Sequence, residues 1–443
     1  MRVAVVGGGM AGLAAAHELA AGGAEVVLLE GSDRVGGKLR LGEVGGITLD
    51  LGAESVLARR PEGLDLIHAV GLDDRVVHPA TITASIWTHG ALRSMPPTVM
   101  GVPADADALA ASGIALMPEP RILPVPDEDV SVADFVTARL GRDVLDRLVE
   151  PLLGGVYAGH TDQLSLRATT PQIAALGEDL VSAAAEHRAA SDSTGPVFAG
   201  LVGGVGQLPA AVVAAHDVEV RLSSTVRSIT RAGDGWRLSV GPTTDVETLD
   251  VDAVVVATPA PAAARLLAEE APDAAFALAA IDYASMAIIT FVFDDAVVPD
   301  GSGFLVPPVD GTFIKAATVS SNKWGWVGDT GRTVIRTSVG RAGETTLLQH
   351  DDGELGRRAL VDLREALGTL PDPADQVVQR WGGGLPQYDV GHLDRVETVE
   401  RSVEGVRGLE VCGAAYRGVG IPAVIASGRA AARRLLDAGM IES

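Results

Sequence analysis

The sequence predicts an α/β fold: a Rossmann-like dinucleotide-binding domain at the start, a helical insertion, and a second domain built on a sheet. Three observations carry this. The stretch "VAVVGGGMAGLAAAHELA", residues 3–20, runs into "AEVVLLE" and reads as strand, glycine turn, helix and a second strand ending in an acid. The runs "SMAIITFVFDD", "FIKAATVSSNKWG" and "RTVIRTSVGRAG" read as successive strands of one sheet. The closing segment "LEVCGAAYRGVGIPAVIASGRAAARRLLDAG" again reads strand, glycine turn, helix, so the C-terminus is expected to fold back onto the first domain. A chain of 443 residues is long enough for two or three domains.

Each element has a local reason. Residues 2–6 are a short apolar run suited to a buried parallel strand. Gly7-x-Gly9-x-x-Gly12 follows. Gly7 permits the tight turn, Gly9 lets backbone approach a pyrophosphate, and Gly12 lets helix and strand pack closely. Met10 and Ala11 open the helix, whose free N–H groups and dipole favour phosphate. The Gly22-Gly23 pair stops that helix. Glu30, 18 positions after Gly12, ends the second strand, where it can accept hydrogen bonds from ribose hydroxyls and repel a 2′-phosphate. This makes a dinucleotide site and disfavours NADP. The unit alone leaves FAD and NAD open.

Farther on, "VGGVGQLPAAVVAA" reads as a turn into a helix, and residues 218–240 alternate with period two around an "AGDG" hairpin turn. "VDAVVVATPA" is another buried strand returning the chain to the first domain. Residues 81–198 have helical character, with Ser131 as a cap and Asp134 in the first turn. The final helix is expected from about Ile421, its N-terminus aimed at a nucleotide.

The bulk numbers exclude several classes. Thirty-five basic against 58 acidic residues give a net charge of −23, so nucleic acid is not an expected partner. The single cysteine, Cys412, permits no internal disulfide. No apolar run is long enough to span a membrane. "MRVAVVGGG" enters a strand directly, without the layout of a signal peptide, which with the cysteine count predicts a cytoplasmic protein. The nine histidines are scattered without ligand spacing, so no metal is expected. His392, in "YDVGHLDRV", reads as a hydrogen-bonded turn residue rather than a base. No Ser/His/Asp triad or carboxylate pair is expected, and no catalytic residue is assigned.

"GSDRVGGKLR" (31–40) and "DLGAES" (50–55) resemble the second pyrophosphate-contact segment of the flavoprotein amine oxidase superfamily. "GGVYAGHTDQLSLRATTPQI", "VSSNKWG", "WGGGLPQYDVGHLDRV" and "CGAAYRGVGIPAVIASGRAAA" resemble, more narrowly, the oxygen-dependent protoporphyrinogen/coproporphyrinogen oxidase family. The resemblance runs from the first strand to the last helix. It implies an amine-oxidase-like fold: a discontinuous FAD-binding domain (1–80, 199–258 and 396–443), a helical insertion (81–198) and a mixed-sheet substrate domain (259–395). It implies noncovalent FAD held by Gly7, Gly9, Met10, Ala11 and Gly12, and by Glu30, Gly31, Gly37 and Lys38. Gly52, Ala53, Glu54 and Ser55 join these, with Val226, Trp381, Gly413, Gly420, Ile421, Pro422 and Ala423. The implied reaction removes six electrons from a porphyrinogen, with dioxygen as acceptor. Some members touch membrane peripherally, and transient contact with the next haem-pathway enzyme is the expected partnership.

Two porphyrinogens compete as substrate. Coproporphyrinogen III carries four propionates and needs more basic groups than protoporphyrinogen IX. Arg59, Arg60, Arg93 and Lys315 are the candidates, and the Arg59-Arg60 pair resembles the Gram-positive-type, coproporphyrinogen-oxidising branch. Leu153, Gly155 and Tyr157 are candidate cavity walls. "ATITASIW" (80–87) lacks the basic residue that membrane-bound protoporphyrinogen oxidases tend to place there. A flavin amine oxidase or a non-catalytic FAD scaffold are the remaining alternatives.

Overall fold

The computed structural model describes residues 1–190 and 195–438. Residues 191–194 of the expected insertion and 439–443 of the expected C-terminal piece lie outside the described residues. Among the described residues, no helix is long and apolar enough to cross a membrane.

The N-terminal strand Arg2–Val6 is central in a parallel sheet. Its order is Glu219–Arg221, Glu25–Leu29, Arg2–Val6, Ala253–Val256, Leu409–Val411. The three central strands are largely buried, which is why they read as nearly continuous Val/Ala/Leu runs without alternation, whereas the edge strand Glu219–Arg221 is not. The helix Met10–Ala21 packs on one face beside the long C-terminal helix Ile421–Asp437. Glycines permit close packing on both sides of the first helix, Gly12 towards the glycine turn and Gly428 towards the C-terminal helix. A Cβ at Gly12 would strike the Gly7 carbonyl oxygen, and one at Gly428 would strike the Ala11 carbonyl. The two helices therefore meet backbone to backbone, and the C-terminus closes the domain that the N-terminus began.

A second sheet has seven strands, in the order Asp375–Pro386, Tyr283–Phe293, Thr333–Val339, Ala316–Val319, Gly303–Leu305, Ala84–Thr88, Ala91–Ser94. It is mixed: Gly303–Leu305 pairs parallel with Ala84–Thr88, and its other ladders are antiparallel. This corrects one expected boundary. Residues 84–94 lie in the span assigned to the helical insertion, yet they extend the substrate-side sheet. Ile86 is fully buried, and Trp87 packs edge-on to Phe304 with ring centroids 6.1 Å apart. Both partnerships bridge more than 200 positions of sequence, so no local pattern could announce them.

Helices follow from Ala106 onward. The helix Val132–Leu140 starts where Ser131 accepts the Asp134 N–H at 3.0 Å. The helix Glu150–Tyr157 then lies against the strand Gly303–Leu305. The hairpin Val226–Ala232 / Gly235–Val240 is completed by Glu247–Val251.

The glycine contact between the terminal helices is testable. Gly428→Val forces side-chain atoms into the Ala11 backbone and is expected to cost ~1–3 kcal/mol, read as a lower unfolding midpoint in urea. Gly195→Ala, which meets open space, is expected to stay within ~0.5 kcal/mol of the parent.

Candidate cofactor and substrate site

A cavity of about 750 Å³ runs between the two domains. One end is the glycine turn. Gly7 holds φ +110°, and a Cβ there would sit 2.8 Å from the Ala257 carbonyl oxygen. Gly9 faces open space and caps the first helix with no side-chain acceptor. The helix-end N–H groups therefore remain available to a ligand. Gly7, Gly9, Met10 and Ala11 line the cavity, whereas Gly12 lies behind it in the helix–strand contact.

Glu30 and Gly31 line the same end, with Val226 beside them. The Glu30 carboxylate accepts the Gly8 N–H at 2.6 Å and the Ser32 N–H at 2.8 Å, so its position is set by backbone before any ribose arrives. Arg34 donates to the Val35, Gly37 and Leu39 carbonyls, which shapes the loop carrying Gly37 and Lys38. Those two residues line the cavity, and burial lowers the pKa of the Lys38 ammonium.

At the far end, Gly413, Ala414, Ala415, Gly420 and Ile421 form the wall. Gly420 caps the C-terminal helix, again with no side-chain acceptor. Two helix N-termini thus converge on one cavity, each offering positive dipole and unclaimed donors. The Thr258 Oγ1, on the wall, is buried without a partner. Trp381, Met286, Ile288 and Leu385 form an apolar floor from the seven-stranded sheet, with Val156 opposite.

Behind the far wall lies a clamp that sequence reasoning missed in Tyr388. Its hydroxyl donates to the Ala414 carbonyl at 2.7 Å and accepts the Gly418 N–H at 2.8 Å. His392 stacks on Tyr388 with centroids 3.8 Å apart, and its Nε2 donates to the Tyr416 carbonyl at 2.8 Å. Burial pushes His392 down to about 4, so it is neutral at physiological pH; it is hydrogen-bonded, as expected, but it opens the helix His392–Glu404 instead of sitting in a turn. The only signal in the sequence was the proximity of Tyr388 and His392 in "YDVGH".

Comparison with known proteins agrees with this geometry. The model of the family "Flavin containing amine oxidoreductase" matches residues 10–436. The chain belongs to this family. It is 36% identical to the "Coproporphyrinogen III oxidase" of Mycobacterium leprae, over 96% of each chain. It is 28% identical to the "Protoporphyrinogen oxidase" of Bos taurus, over 98% of each. A crystal structure of a candidate protoporphyrinogen oxidase from Exiguobacterium sp. 255-15 superposes with a TM-score of 0.88 at 30% identity, covering 99% of both chains. The protein is a flavin oxidoreductase, and the amine-oxidase-like fold is its fold. The cavity fits a flavin dinucleotide: it joins two donor-rich helix ends through a glycine cradle and keeps an orphaned hydroxyl on its wall.

Several expected contacts fall elsewhere. Gly52, Ala53 and Ser55 line the cavity, but Glu54 turns away from it. Its carboxylate pairs with Lys323 at 2.7 Å and with Arg336, which also donates to the Gly52 carbonyl. Burial alone would raise the Glu54 pKa; the two cations override it and hold the group at about 2. Glu54 is thus the tie between the flavin-side loop and the sheet. Pro422 faces Gly63 and Ala423 packs towards Gly418, each one helix face away from Ile421 and Val424. A helix beginning at the cavity can present only part of its first turn to it.

None of the four basic candidates, Arg59, Arg60, Arg93 and Lys315, is on the cavity wall, and Lys315 is buried behind it. Arg59 and Arg60 are exposed, and Arg60 pairs with Glu62 at 2.7 Å. Arg93 lies near the sheet edge, donating to the Ser112 carbonyl at 3.3 Å. Leu153 is buried in the helical core, and Tyr157 packs on Tyr388 with centroids 5.5 Å apart. Of the named wall residues, Gly155 lines the cavity.

The Glu54 tie yields a prediction. Glu54→Gln leaves Arg336 and Lys323 buried without their anion and is expected to cost ~3–5 kcal/mol, measured by urea unfolding at pH 7. Because the carboxyl is held well below its ordinary range, its contribution is present above pH ~4.3. It is lost as pH falls towards 2. The parent–variant difference should therefore shrink on acidification between those limits.

Proposed function

We propose that this protein binds FAD noncovalently and oxidises coproporphyrinogen III to coproporphyrin III, with dioxygen as acceptor, in haem biosynthesis. The observation that carries the reading is the cavity itself. A dinucleotide cradle at two helix ends opens onto a broad apolar floor of sheet residues. The balance is coproporphyrinogen III plus three dioxygen giving coproporphyrin III plus three hydrogen peroxide. FAD supplies a two-electron acceptor that dioxygen restores, used three times per substrate.

The chain's own residues bind, orient and exclude water. Helix ends at Met10 and Ile421 receive the negative portions of the cofactor. Met286, Ile288 and Leu385 offer a dry surface to a flat ring. The driving force is aromatisation of the product, so little acid–base machinery is needed, in keeping with a neutral, backbone-bonded His392. Noncovalent attachment is supported by Cys412, which is fully buried, its thiol pushed up to about 12 by burial.

An amine oxidase is disfavoured because the 413–420 wall offers Ala414 and Ala415, while the Tyr416 side chain is buried in the core behind. The protoporphyrinogen reading is kept by the likeness to the bovine protein. The same proposal has the protein act in the cytoplasm and pass its product to the next enzyme of the pathway.

Purified protein offered each porphyrinogen in air should develop coproporphyrin fluorescence faster than protoporphyrin fluorescence, at three hydrogen peroxide per porphyrin. Preference for the two-propionate substrate would transfer the reading to protoporphyrinogen. Absence of both activities in FAD-replete protein would end it.

A further inference from the structure

Lys315 and Arg341 are two buried charges that the site described above does not use. Lys315 precedes the strand Ala316–Val319 and is 2% exposed; its Nζ is buried without a hydrogen-bond partner. Arg341 follows the strand Thr333–Val339 and is 6% exposed; its Nε is likewise unpartnered. The carboxylates nearby are weakly placed or already engaged. Glu344 reaches Arg341 only at 3.9 Å and is one-third exposed. Glu150 is taken by the Thr161 N–H and hydroxyl, with His160 at 3.8 Å. A buried ammonium without a hydrogen-bond partner is unfavourable, and the Arg341 Nε is unfilled as well, so these groups have donors to spare for an anionic guest.

Their position names the guest. The Lys315 N–H donates to the Ser338 carbonyl at 2.8 Å, and Ser338 is paired across the sheet with Ile288 of the cavity floor. Two strand spacings separate Lys315 from that floor, roughly 10 Å. On the other side, the Arg341 Nε lies 3.9 Å from where a Cβ of Gly154 would be. Gly155, the next residue, lines the cavity. Two consecutive glycines inside the helix Glu150–Tyr157 are costly there, and they leave its wall bare between cavity and cations.

We propose that Lys315 and Arg341 form a subsite for one peripheral carboxylate of the substrate, reached past the Gly154-Gly155 step. The arginine fork and lysine point charge together suit a carboxylate arm on an otherwise apolar ring. This rests on the porphyrinogen reading above. It places one carboxylate contact in the interior, at Lys315 of the four basic candidates.

The variants Lys315→Met and Lys315→Arg test it. Both should retain the flavin absorption spectrum. Lys315→Met should raise the KM for coproporphyrinogen III at least tenfold, with most of the loss in KM rather than kcat, and weaken coproporphyrin III binding equally in a fluorescence titration. Lys315→Arg should recover most of the affinity. Coproporphyrin tetramethyl ester should bind parent and Lys315→Met alike. A Lys315→Met KM and Kd within twofold of the parent would overturn the subsite while leaving the oxidase reading intact. A parent that neither binds nor oxidises the tetracarboxylate would overturn the reading itself.

A measurement on the parent protein guards against a variant that does not fold. Burial, with Arg341 beside it, lowers Lys315 to about 7, and Glu344 pulls the other way. Around them, Glu150 acts electrostatically on Arg341, and its hydrogen bond with His160 raises the pKa of that ring. An arriving carboxylate favours the ammonium form, so calorimetry at pH 8 in buffers of different ionisation heat should show proton uptake with coproporphyrin III and none with the ester. The KM should rise as pH climbs above 7. Equal proton exchange with both ligands would count against the subsite.

Discussion

The structure depends on one close approach: the terminal helices meet at Gly428 and Ala11, backbone against backbone. That contact sets two helix N-termini on one cavity. A longer side chain at position 428 would separate them, and each end would then face solvent and lose most of its electrostatic leverage. The sheet order follows from the same constraint. The last strand, Leu409–Val411, must lie on Ala253–Val256 for its helix to return beside the first.

The second domain is joined to this one by buried charge. Glu54 leaves the loop at 50–55, and Arg336 meets it from the strand Thr333–Val339 and Lys323 from the short helix Ser320–Lys323 that precedes that strand. Isolated, any of the three would be costly to bury; together they hold the 52–55 segment, through Gly52, against the floor residue Trp381. The Tyr388–His392 stack does comparable work at the opposite wall, binding the Ala414, Tyr416 and Gly418 backbone from behind. The cavity is thus shaped largely by side chains that do not enter it.

This division explains where function resides. The cofactor end is nearly all backbone: glycines, helix ends and the Glu30 brace. The other end is an apolar floor of sheet residues. The buried polar groups around it are spent on holding loops in place.

Much of the cofactor site was legible in the sequence because its determinants are local. A glycine at a tight turn, an acid closing the next strand and a helix start near Ile421 are each fixed by a few neighbouring residues. The Ser131 cap is legible for the same reason. What the tertiary structure alone decided is where distant side chains go. Glu54 looks like one more cavity residue until Arg336, 282 positions away, claims it. Residues 84–94 look like the edge of a helical insertion until Gly303–Leu305 pairs with them. The arginines at 59, 60 and 93 carry the right charge, but charge in a sequence has no address. Burial and partnership, which decide whether a cation is solvated, paired or waiting for a ligand, exist only once the chain has folded.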